Sequence, residues 1–140
     1  MPSTGITQVA TVFVPVSDQD RALAFYCDVL GFEKRSDFVY AGEERWVEVV
    51  PAGAATAITL AAPRGGRPTA VETGVALVTD DVEGDHAALR AAGVDVDEAI
   101  QREDDPPFQW GGAVLGGYPP MFRFRDPDGD SFLIVARPSP

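Results

Sequence analysis

The sequence predicts an α+β fold: two βαβββ modules forming a curved eight-stranded mixed sheet around a cavity, with the helices on the outer face. Three observations predict it. Strand-like runs surround only two helical patterns. Each helical pattern follows a strand and stops at a glycine, Gly31 or Gly93. The two units also recur at a near-constant spacing, with Asp18 and Asp81 63 residues apart and Gly31 and Gly93 62 apart. Matching strand–helix–glycine units at one offset indicate internal duplication. The modules are expected at residues 1–66 and 67–140, with the boundary in the Pro- and Gly-rich stretch at 63–68.

Residues 9–16 (VATVFVPV) are apolar on both faces and read as a buried strand. Ser17 or Asp18 offers a helix N-cap. Ala22, Phe25, Tyr26, Val29 and Leu30 then recur at helical spacing, and Gly31 supplies the stop. Strand-like runs follow near residues 34–40, 45–50 and 56–62. In the second half, residues 74–79 (GVALVT) read as a strand. Asp80 and Asp81 precede a helix containing residues 86–92. Strands then fit residues 94–100, 121–125 and 131–136. The turn Asp126-Pro127-Asp128-Gly129 joins the last two, and residues 106–120 read as a loop.

A helix covers one face of each module's sheet, and the other face must also be covered. Pairing two modules would close a trough, the kind of apolar cleft in which small molecules bind. In the first strand Val12, Val14 and Val16 share the face suited to a helix, which turns Thr11 and Phe13 towards the trough.

Composition narrows the function. The net charge is −11, from 22 acidic and 11 basic residues. Such a surface repels phosphate backbones, so no nucleic-acid partner is expected. It attracts cations, and it also serves solubility. No run approaches the roughly 18 apolar residues of a membrane span. Residues 1–20 contain no Lys or Arg and no continuous apolar block, so they do not read as a signal peptide. A cytoplasmic location and no membrane partner are expected. Cys27, the single cysteine, allows no internal disulfide and reads as a packed thiol.

Three segments, VPVSDQDRALAFYCDVLGFE (14–33), LVTDDVEGDHAALRAAGVDV (77–96) and MFRFRDPDGDSFLIV (121–135), resemble the vicinal oxygen chelate superfamily. That group includes glyoxalase I, extradiol dioxygenases, and fosfomycin- and bleomycin-resistance proteins. The resemblance implies paired βαβββ modules and, commonly, a homodimer. In metal-dependent members it implies a divalent ion held by His, Gln or Glu from the first and last strands of each module. Carried onto this chain, those positions fall on Thr11, on Gly74 (Thr73 in a register one residue away) and on Leu133. Residues 56–62 contain no His, Glu, Asp or Gln. Such side chains do not form a ligand set, so neither a metal nor another cofactor is expected. His86, the lone histidine, lies on the second helix and reads as a surface or helix-packing residue.

Candidate ligand contacts are then Thr11, Phe13, Gly74 and Leu133 from the strands named above, with Trp46 and Glu48, which share a strand face. Trp110 and Tyr118 join them from the Gly- and Pro-rich loop, with Phe122 from the strand that follows. Aromatic rings could stack on a flat ligand while Glu48 or an Arg anchors charge. The leading reading is metal-independent binding or sequestration of a small aromatic or amphipathic molecule. The alternative is a metal-dependent lyase, isomerase or dioxygenase of the same superfamily. A third reading is an acid–base enzyme with Glu48 as base, since burial raises a carboxyl pKa. A fourth is a protein-interaction module with a vestigial trough.

Overall fold

A computed structural model describes residues 4–62 and 68–138, and the chain divides into two compact units, Met1–Arg67 and Pro68–Pro140. The expected boundary, between residues 66 and 67, lies outside the described residues.

The first unit runs β1 (Thr11–Pro15), α1 (Gln19–Ala24), a π-helical turn (Phe25–Val29), β2 (Glu33–Tyr40), β3 (Glu44–Val50) and β4 (Ala57–Ala61). Asp18 caps α1, its side chain accepting from the Arg21 N–H at 3.0 Å. The π turn closes with the Leu30 N–H on the Phe25 carbonyl, and Gly31 ends it at φ +76°. The strands order as β1-β4-β3-β2, with β1–β4 parallel and the other pairs antiparallel.

Register decides which side chains share a face. Val14 pairs with Leu60 and Val49 with Ile58. These residues, with Val16 and Val47, are buried, as are Ala22 of α1 and Tyr26. They form the core between sheet and helix. The opposite face carries Phe13 beside Thr59, Thr59 beside Glu48, and Phe38 beside Trp46.

The second unit runs β5 (Glu72–Thr79), α2 (Val82–Ala91), β6 (Asp95–Val96), β7 (Phe108–Trp110), β8 (Ala113–Leu115), β9 (Met121–Arg125) and β10 (Ser131–Ala136). Asp81 caps α2 through the Gly84 N–H at 2.9 Å. The main sheet orders as β5-β10-β9-β6, with β5–β10 parallel. Counted along each unit, both sheets therefore read first–fourth–third–second, with one helix after the first strand.

Two elements differ from the expectation. β6 is only Asp95–Val96, because Asp97 turns its carboxylate onto the Arg123 backbone N–H at 3.0 Å and guanidinium at 2.8 Å. The strand-like chain rejoins β9 only at a bridge between Gln101 and Met121. Residues 106–120 are not simply a loop. They hold the β7–β8 hairpin, whose two-residue turn, Gly111-Gly112, has φ +60° and +78°. A turn with both φ values positive strongly favours glycine. No helix among the described residues is long and apolar enough to cross a membrane.

Candidate functional site

The face of the first sheet away from α1 presents four aromatic rings in a row. Phe13 on β1 and Trp46 on β3 meet edge to face at 5.7 Å. Trp46 meets Tyr40 of β2 at 6.2 Å, and Tyr40 meets Phe38 at 6.3 Å. The register explains the row: Phe38 lies opposite Trp46, and Tyr40 follows two residues on along β2. Phe13, Phe38 and Tyr40 are 53%, 52% and 43% exposed. Rings this open face solvent rather than a core. A cavity of about 200 Å³ is lined by Phe13, Tyr40, Trp46 and Thr59 together with Glu44, Arg45, Ala61 and Ala62. That is below the roughly 300–1,000 Å³ of sites that engulf small molecules. The face is an open aromatic wall rather than an engulfing pocket.

Two polar pairs border the wall. Thr11 Oγ1 lies 2.7 Å from Thr59 Oγ1 and 3.1 Å from the Ala57 carbonyl. Arg35 donates to Glu48 Oε2 at 2.6 Å and to the Ala55 carbonyl at 3.0 Å. Burial pushes the Glu48 carboxyl up. Hydrogen bonds from Arg35, Trp46 and Ser36 outweigh it and hold the pKa below its ordinary value. Glu48 is therefore a paired carboxylate, which corrects the expectation of a base raised towards neutrality. Arg45 is engaged by Asp37 at 2.8 Å and Asp20 at 2.7 Å.

The second unit treats the corresponding face differently. Trp110, placed there by the β7–β8 hairpin, is 6% exposed and packs with Met121 and Leu133. Phe108, Leu115 and Val135 surround that cluster, and Trp110 Nε1 donates to Ser131 Oγ at 2.8 Å. Arg123 stacks over Phe108 at 4.6 Å. Trp110 is thus a core residue of its unit rather than an open loop side chain. Gly74 sits at φ +72°, where the β5–β10 register shifts.

Thr11, Phe13, Trp46 and Glu48 are brought together on one face, and Trp110 and Leu133 on another. Tyr118, between β8 and β9, is 63% exposed. Phe122 lies on the opposite sheet face from Leu133 and is fully buried against His86, ring to ring at 4.9 Å. That helix-side packing removes Phe122 from any open face. His86 also bonds the Asp97 carbonyl at 2.7 Å, a helix-packing role. At Cys27, burial and then the Asp28 charge push the thiol pKa up against the pull of Lys34, which keeps it protonated. Tyr40, Phe38 and Thr59 join the face without being among the candidates the sequence singles out. The alternation of Phe38 and Tyr40 along β2 was the signal for the rings, and Thr59 needed the β3–β4 register.

A divalent ion does not fit the positions to which the resemblance assigns ligands. The Thr11 hydroxyl is bonded to Thr59 and Ala57, Gly74 has no side chain, and Leu133 offers hydrocarbon beneath Trp110. Among the described residues, no group of three or more His, Cys, Asp or Glu is placed to hold a metal.

Comparison with known proteins agrees with this architecture. Residues 6–132 match the model of the Glyoxalase/Bleomycin resistance protein/Dioxygenase superfamily. The chain resembles TnmS3, an antibiotic binding protein from Streptomyces sp. CB03234, with 31% identity and a TM-score of 0.73 over 98% of this chain and 100% of that one. A superfamily member from Sphaerobacter thermophilus DSM 20745 is 32% identical with a TM-score of 0.75, covering 94% of this chain and 98% of that one. The uncharacterized protein YetH of Bacillus subtilis (strain 168) is 29% identical over 92% of this chain and 98% of its own length.

Proposed function

Because the chain belongs to the Glyoxalase/Bleomycin resistance protein/Dioxygenase superfamily, we propose that it binds a small planar aromatic molecule, without metal chemistry, on the open face of its first sheet. The observation that carries this reading is the exposed row Phe13–Trp46–Tyr40–Phe38. Such rings bury large area against a flat ligand at little entropic cost, because they are already ordered by strand pairing. The antibiotic-binding activity of TnmS3 supports the same direction. Sequestration of an aromatic antibiotic or metabolite is the function such a wall would serve.

Glu48 is neutralised by Arg35 and so contributes little net charge to a ligand. Recognition rests on stacking, with the acidic surface favouring compounds that also carry positive charge.

A thermal-shift screen of bleomycin-type and other polycyclic aromatic compounds tests the reading, with Trp46→Ala beside the wild type. A binding compound should raise the wild-type midpoint. Trp46→Ala should weaken that compound by at least about tenfold, given roughly 0.5–1.5 kcal/mol for a ring contact beyond the buried area it removes. Equal affinity in both proteins would count against the wall.

A further inference from the structure

A hydroxyl has one proton to donate and two lone pairs that accept. Thr11 Oγ1 stands 3.1 Å from the carbonyl oxygen of Ala57, its parallel partner in the β1–β4 ladder. Carbonyls only accept, and the Val12 carbonyl at 3.5 Å is the more distant of the two that Thr11 Oγ1 reaches, so the Ala57 contact takes the single proton of Thr11. The 2.7 Å contact between Thr11 Oγ1 and Thr59 Oγ1 must then carry the proton of Thr59, received by a lone pair of Thr11. The reverse assignment would leave two oxygens 3.1 Å apart with no proton between them. The two carbonyls beside Thr11 therefore favour Thr59 as the donor of the pair.

Thr59 lines the cavity beside Phe13, Tyr40 and Trp46 while being only 3% exposed. Its proton is committed, and among the described residues Thr11 is its one hydrogen-bond partner. With its proton spent on Thr11, the hydroxyl of this cavity-lining residue keeps only acceptor capacity. The nearby cation Arg45 directs its guanidinium to Asp37 and Asp20.

Resting on the binding role proposed above, we infer that Thr59 is a specificity-determining residue that selects planar aromatic ligands bearing an O–H or N–H donor on one edge. The aromatic row accepts any flat ring, and Thr59 reads the edge. A ligand with only an acceptor there would meet lone pairs, and its own acceptor would lose water without a replacement partner.

Equilibrium dialysis of 2-naphthol and its methyl ether, 2-methoxynaphthalene, tests this. The readout is the ratio of the two affinities in the wild type, Thr59→Val and Thr11→Val, with thermal midpoints confirming that the near-isosteric variants are folded. Thr59→Val should shift the ratio towards the ether by about three- to tenfold, the worth of one net hydrogen bond. Thr11→Val frees the Thr59 proton to turn towards the ligand and should shift the ratio the same way. If all three proteins bind both compounds with one unchanged ratio, the inference is overturned and the aromatic wall stands. If the wild type holds neither compound, the wall does not stack flat rings and both fall together.

Discussion

Asp130 is a fully buried carboxyl whose Oδ1 accepts the Val71 N–H at 3.0 Å. Burial raises its pKa to about 6 against the pull of the Val71 N–H, with the Asp126 and Asp128 charges adding to the rise. The folded chain thus holds this proton more tightly than the unfolded chain does. The associated stability is complete below the ordinary value of 3.8 and is lost as pH rises through about 6. Asp130→Asn keeps an acceptor for Val71 and carries no charge. Calorimetry should show it more stable than wild type at pH 7 by about 1–3 kcal/mol, with no gain near pH 3.5. Glu48 runs the other way, its pKa held low chiefly by Arg35 against burial. Its stabilisation is present above the ordinary carboxylate value and fades as pH falls through the lowered one. Glu48→Gln should cost about 1.5–3 kcal/mol at pH 7 in denaturant titration, the worth of a hydrogen bond to a charged group. The sequence shows the face Glu48 shares with Trp46. It does not show that Arg35 reaches Glu48, because the partner is set by a register shift between Lys34 and Ser36.

Among the elements, the β7–β8 hairpin differs most in role from its sequence appearance. Gly and Pro around Trp110 suggest a loop over a binding site. The Gly111-Gly112 pair is instead a two-residue turn that lays Trp110 onto Met121 and Leu133. The Gly-Gly signal was legible. The strands it joins are three residues each, too short for alternation to register. Trp110→Ala should cost about 3–5 kcal/mol, as large-to-small core changes do. Trp110→Phe should cost less, since the ring still packs while the bond to Ser131 is lost. Helices and long strands were readable because capping aspartates, stop glycines and apolar periodicity agree with one another. β6 was not, because its early end follows from Asp97 engaging Arg123 and Arg125 of another strand.

At the scale of the whole chain, one plan is used twice with different outcomes. Each unit has a sheet ordered first–fourth–third–second and a helix after its first strand. The duplication was visible as two strand–helix–glycine units at almost one spacing. The asymmetry was not, because it depends on which faces are filled. The second unit covers Leu133 with its own tryptophan, while the first leaves Phe13, Phe38 and Tyr40 open around Trp46. The protein has two tryptophans, and they occupy these two contrasting places. A Trp110→Phe variant therefore makes Trp46 the single indole emitter. Titrating that variant with an aromatic compound from the screen, before and after exhaustive chelation, observes the wall directly. The account predicts saturable quenching of Trp46 with the same midpoint in both preparations. Unchanged emission on binding, or quenching abolished by the chelator, would contradict it.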